Sequence, residues 1–102
     1  MDILARIKRL VQAGKVIFTW KAETEMAADG LTRPLVYEAI RNASDIAKVV
    51  RSRKPETGKR EMLYIIKGFT RDGLLIYTKG KFKTIAEQEV FYVFISSKRS
   101  TD

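Results

Sequence analysis

Hydrophobic periodicity changes once along this chain, and that change sets its fold class. Up to Ala43 the apolar residues recur at helical spacing; from Ile46 onward they fall into short β-type runs. Ile3, Leu4, Ile7, Leu10 and Val11 form one stripe with Arg6, Arg9 and Gln12 off it. A helix is therefore expected over 2–13, capped by Asp2 and stopped by Gly14. Residues 16–18 read as a short strand or an extended linker. A second helix, over 21–28, turns Ala22 and Met26 inward and ends at Gly30; Trp20 beside it is expected to anchor the core. Thr32 as N-cap and Pro34 in the first turn open a third helix over 33–43, which presents Leu35, Val36, Ala39, Ile40 and Ala43.

The β-type half begins with a strand expected over 46–51, followed by a loop over 54–59 that holds a proline and a glycine. Two runs, 62–69 and 74–78, flank Asp72-Gly73, a strong hairpin signal. Lys79-Gly80-Lys81 reads as a second break, and 82–89 are ambiguous. Residues 90–95 are apolar on both faces, as in a covered central strand. The polar segment 96–102 is expected to fray. Helices followed by strands imply an α+β fold, with two to three N-terminal helices packed on a small curved antiparallel sheet. At 102 residues the chain suits a single domain spanning 1–102.

Charge narrows the function. The net charge is +8, and it is unevenly spread: 1–50 hold eight basic and six acidic residues, 51–102 twelve and six. Within 51–83 ten basic side chains face three acidic ones, so the positive field belongs to the β-type half. Such a surface points to a polyanion, because cations displace the condensed counterions of a nucleic acid. Tyr64, Tyr77, Phe82 and Tyr92 are interleaved with these charges, and aromatic faces stack on unpaired bases, which suggests RNA.

Other chemistries are narrowed by what the chain omits. It has no histidine and no cysteine, so disulfides, thiolate sites and histidine-based triads are excluded. No metal site and no cofactor is expected. Apolar runs are too short for a membrane helix and no signal peptide is visible at the N-terminus, so a cytoplasmic protein with no membrane partner is expected. Metal-free RNA cleavage by internal attack would need a base, an acid and cations on the phosphate, roles open to lysine, tyrosine and arginine.

The string Leu4-Ala5-Arg6-Ile7-Lys8-Arg9-Leu10-Val11-Gln12-Ala13-Gly14-Lys15-Val16 resembles the N-terminal helix of the MqsR (motility quorum-sensing regulator) toxins, which belong to the RelE/ParE-like superfamily. The resemblance continues through Gly30-Leu31 and the next helix. It returns at Tyr64-Ile65-Ile66-Lys67 and at 72–79, and covers about 4–81. It implies a RelE-like fold and the toxin part of a type II toxin–antitoxin pair, a metal-independent endoribonuclease acting on mRNA, free or on the ribosome. It also implies a cognate antitoxin of zinc-finger or helix-turn-helix type. The family's catalytic positions fall on Lys48, Tyr64 and Lys79. Where the family carries a glutamine before the hairpin this chain has none, and Arg51 and Arg53 stand nearest. Arg51, Arg53 and Lys81 are the expected RNA contacts. The alternative is a non-catalytic module that binds RNA, the ribosome or a protein partner on the same scaffold.

Overall fold

A computed structural model describes residues 2–101. Three helices, α1 (Ile3–Gln12), α2 (Trp20–Asp29) and α3 (Arg33–Asn42), lie in the first half, interrupted by a short strand β1 (Val16–Phe18). Four strands follow: β2 (Lys48–Arg53), β3 (Arg60–Phe69), β4 (Leu75–Ile85) and β5 (Glu89–Arg99). The fold is α+β, as the change of period requires. No described helix is long and apolar enough to cross a membrane.

Each helix starts where a side-chain oxygen satisfies an otherwise unpaired N–H. Asp2 accepts from the Leu4 N–H, Thr19 from Ala22 and Thr32 from Leu35. Helix α2 stops at Gly30, whose φ of 68° lies in the left-handed region that a side chain disfavours.

The sheet order is β1-β5-β4-β3-β2. Strands β2 to β5 form an antiparallel meander, but β1 pairs with β5 in parallel, Val16 opposite Tyr92 and Phe18 opposite Phe94. The sheet is therefore mixed, not purely antiparallel as expected. An N-terminal strand separated from its neighbour by most of the chain leaves no local signal of direction.

The C-terminal strands also differ from expectation. Lys79-Gly80-Lys81 is no break: β4 runs straight through it, with only a register shift between Lys79 and Gly80. The glycine is there because the Tyr92 ring lies where a Cβ would be, 2.5 Å from its Cζ. Residues 82–89 are ambiguous in sequence because the β4–β5 turn uses Ala86 and Glu87 at φ 50° and 67° in place of the glycine or asparagine that marks such turns. The segment 96–102, of which Asp102 lies outside the described residues, does not fray at its start. Ser96 and Ser97 are buried and β5 continues to Arg99.

Helix α2 explains that extension. Where β1 ends, its neighbour β5 would present bare N–H groups. Glu25 accepts from the Ser97 N–H (3.2 Å) and the Ser96 hydroxyl (2.7 Å), and Asp29 accepts from the Arg99 N–H (2.8 Å). Four residues of helix advance about 6 Å and two residues of strand about 6.7 Å, so carboxylates at i and i+4 match alternate amides.

The core sits between the helices and one sheet face. Leu4, Ile7 and Val11 of α1, Ala22 and Met26 of α2, and Val36, Ala39 and Ile40 of α3 form one cluster with Tyr64, Ile66, Ile76, Tyr92 and Phe94. A file of rings runs through it. Phe18 stacks on Phe94 at 4.6 Å between centroids, Phe94 meets Tyr92 edge-on at 5.1 Å, and Tyr92 meets Phe82 at 5.6 Å. Arg33 covers Phe18 at one end and Arg6 covers Phe82 at the other. Trp20 is not part of this core. It opens α2 with 83% of its surface exposed, because the inward positions of that short helix are Ala22 and Met26.

Candidate nucleic-acid interface

Cross-strand partners share a face, so the register sorts every strand residue to one side of the sheet. Val49, Tyr64 and Gly80 form one row, and Ile66 with Thr78 and Gly68 with Ile76 continue it. This is the helix side: a Cβ on Gly68 would meet the Ala39 carbonyl of α3. The alternate residues face away from the helices. Lys48, Ile65 and Lys79 form one row there, and Lys67, Tyr77 and Lys98 form another.

The bare face carries six lysines: Lys48, Lys67, Lys79, Lys81, Lys83 and Lys98. Two strand carboxylates share it, and the charge of Glu25 on α2 also reaches Tyr77. Glu61 pairs with Lys81 at 3.4 Å, and Glu89 lies opposite Ile85 beside the last turn. Among the described residues the other five lysines have no ion pair. Between them stand Phe69, Tyr77 and Phe91, with Leu63 and Ile65 half-buried.

The three expected catalytic residues do not gather. Lys48 and Lys79 share the bare face, two strands apart, which sets their Cα atoms about 10 Å from one another. Tyr64 is their neighbour in position along the sheet but points the other way. It is 8% exposed and its ring meets Phe82 edge-on at 5.6 Å inside the core. Side chains of adjacent strand residues alternate in direction, so Tyr64 is directed away from both lysines by the same pairing that aligns Ile65 with them. The tyrosine on the lysine face is Tyr77, two residues before Lys79. Its parity with Lys79 is the signal, and it becomes readable only because β4 runs through Lys79-Gly80-Lys81.

The expected RNA contacts divide as well. Arg51 and Arg53 lie on the helix side of the edge strand β2, beyond the cover of the helices. With Ser52 and Arg60 they line a depression of about 330 Å3. Arg53 stands directly opposite Arg60 and donates to the Gly58 carbonyl at 3.1 Å. Lys81 is on the bare face, and its ammonium is engaged by Glu61.

A second depression, of about 370 Å3, lies on the bare face at the far end and is lined by Lys67, Tyr77 and Lys98 with the 99–101 segment. The Lys98 ammonium sits over the Tyr77 ring, 5.3 Å from its centroid. Burial, aided by the charge of Glu25, raises the Tyr77 hydroxyl above its ordinary pKa. Burial also raises Tyr92, whose hydroxyl lies in the core with no hydrogen-bond partner among the described residues, and Tyr64 adds to the effect. Among the described residues no three acidic side chains come together to hold a metal ion.

Two ammonium groups astride an apolar residue can hold a phosphodiester but do not by themselves supply both an acid and a base. Comparison with protein-family models, curated proteins and solved structures finds no match for this chain.

Proposed function

We propose that this domain binds single-stranded RNA on the bare face of its sheet. One observation carries the reading: six lysines and three aromatic side chains share the sheet face turned away from the helical core, while the opposite face is packed. Lysines attract the backbone through counterion release, and exposed rings accept unpaired bases. A duplex offers its bases only at the edges and makes poorer use of such rings. Arg51, Arg53 and Arg60 extend the positive field around the β2 edge, so a longer RNA can wrap from one face to the other. The test is fluorescence anisotropy with a labelled uridine decamer across a salt series. Binding that weakens steeply with salt supports the reading, and no binding at low salt removes it.

The second reading is a RelE-like toxin of cytoplasmic location that cleaves mRNA and is held by an acidic antitoxin. The Lys48–Ile65–Lys79 row favours it, because the two ammonium groups can bracket one phosphodiester. In that reaction the 2′-oxygen attacks phosphorus and the bond to the 5′-oxygen breaks. A lysine takes the 2′-proton, an acid returns one to the 5′-oxygen, and a 2′,3′-cyclic phosphate remains. The burial of Tyr64 takes the expected acid away from the row and leaves Tyr77 as the one tyrosine on that face. Incubation with unstructured RNA in EDTA, with and without ribosomes, separates the readings: intact RNA under both conditions leaves only binding.

A further inference from the structure

A more specific site rests on the RNA-binding reading: the bare face holds one place built for bases. Phe69 closes β3 on this face with 57% of its surface exposed. Lys67 precedes it by two residues on the same face, and Tyr77 is the cross-strand partner of Lys67. The three side chains therefore occupy three corners of one patch, with Phe69 and Tyr77 on its diagonal and Leu75, opposite Phe69, at the fourth corner. Neighbours two apart on a strand are about 6.7 Å from one another, and a directly opposed pair about 5 Å.

Tyr77 is half-buried, and the Lys98 ammonium sits over its ring, 5.3 Å from the centroid. Tyr77 is also the one tyrosine of four committed to this face: Tyr64 and Tyr92 are in the core and Tyr37 is on α3. The depression beside the ring is large enough for a base, and Lys67 and Lys98 line it together with the 99–101 segment. No described carboxylate is ion-paired to Lys67 or Lys98, so both remain available to phosphate.

We propose that Phe69 and Tyr77 form a two-base seat for one dinucleotide step of single-stranded RNA, with Lys67 on the phosphate between the bases. Lys98 moves off the Tyr77 ring when a base arrives and takes the next phosphate, toward Lys79. The seat fixes where on the sheet the strand is held, and the remaining lysines guide the rest of the backbone.

The experiment is anisotropy of a fluorescein-labelled uridine decamer with the full chain. Tyr77→Ala and Phe69→Ala each weaken binding by at least about five-fold, the low end for removal of one base–aromatic stack. Tyr77→Phe restores the affinity that Tyr77→Ala removes, and Trp20→Ala, at an exposed aromatic off this face, leaves it unchanged. If the wild-type chain binds and Lys48→Ala or Lys79→Ala weakens it while the two ring deletions do not, the face stands and the seat falls. Should the wild-type chain not bind at all, both fall. Loss of affinity in Tyr77→Phe equal to that in Tyr77→Ala assigns the effect to the hydroxyl and overturns the seat. Because a ring deletion can disturb folding, titration of unmodified protein with the dinucleotide UpU is the second measurement. The Tyr77 and Phe69 ring protons shift upfield together, and shifts confined to other residues overturn the proposal.

Discussion

Lys48 and Lys79 stand on either side of Ile65 in one cross-strand row, on the face of the sheet that the helices leave bare. Neither forms an ion pair among the described residues. If both bind phosphate, Lys48→Ala with Lys79→Ala weakens binding of single-stranded RNA and lowers the salt slope by about 0.7 for each phosphate no longer neutralised. Anisotropy across a salt series reads both quantities. An unchanged slope means that the RNA lies elsewhere.

Tyr64 belongs to the core, so its substitutions read out in stability. Tyr64→Ala costs about 3–5 kcal/mol in urea unfolding, as for other large aromatic truncations. Tyr64→Phe keeps the ring and leaves RNA binding as it was. If the chain cleaves RNA in EDTA, cleavage survives Tyr64→Phe; its loss in a folded Tyr64→Phe variant would return Tyr64 to the chemistry.

Two glycines meet their neighbours without a Cβ, and their substitution by alanine differs in kind. At Gly68 the new carbon falls on the Ala39 carbonyl, so α3 must move off the sheet. At Gly80 it meets the Tyr92 ring, a side chain with somewhat more freedom. Overpacking costs typically about 1–3 kcal/mol. Gly80→Ala falls near the top of that range and Gly68→Ala beyond it, as thermal melts will show.

Glu25 holds the Ser97 amide and the Ser96 hydroxyl, both in buried residues. Glu25→Ala leaves these donors without their partner and costs about 1–3 kcal/mol. Hydrogen exchange at the Ser97 amide accelerates beyond the global change, because the β5 edge opens locally. Exchange that rises only in step with global stability would show that α2 does not guard this edge.

Alkaline pH tests two tyrosines. Tyr77 and Tyr92 both have folded pKa values raised above the ordinary 10.0, mainly by burial. Their neutral forms are favoured in the fold, so the stability they contribute is complete below pH 10 and is lost as pH rises from there through the folded values. Urea midpoints should fall above pH 10, and Tyr92→Phe should fall less steeply. At neutral pH Tyr92→Phe should be at least as stable as wild type, since it removes a buried hydroxyl with no partner among the described residues.

Much of the fold was legible because it is written in local terms. The caps at Asp2 and Thr32, the stop at Gly30 and the Asp72-Gly73 hairpin each depend on one or two residues and their immediate backbone. The misses share a different cause. Gly80 reads as a break until Tyr92, twelve residues on, explains why a strand tolerates it. Ser96 and Ser97 look like a fraying tail until Glu25, some seventy residues earlier, receives their hydrogen bonds. Trp20 resembles a core anchor until the helix it opens is seen to turn only small or slender residues inward.

For the site, the sequence by itself determined that positive charge would crowd the β-type half and that lysines and aromatics would alternate along its strands. That follows from composition and from the two-residue period. Which of them meet was decided only by the tertiary structure, because strand register and the side chosen by the helices fix what each alternate residue faces. Those two choices put Lys48 with Lys79, gave that face Tyr77 in place of Tyr64, and divided Arg51 and Arg53 from Lys81.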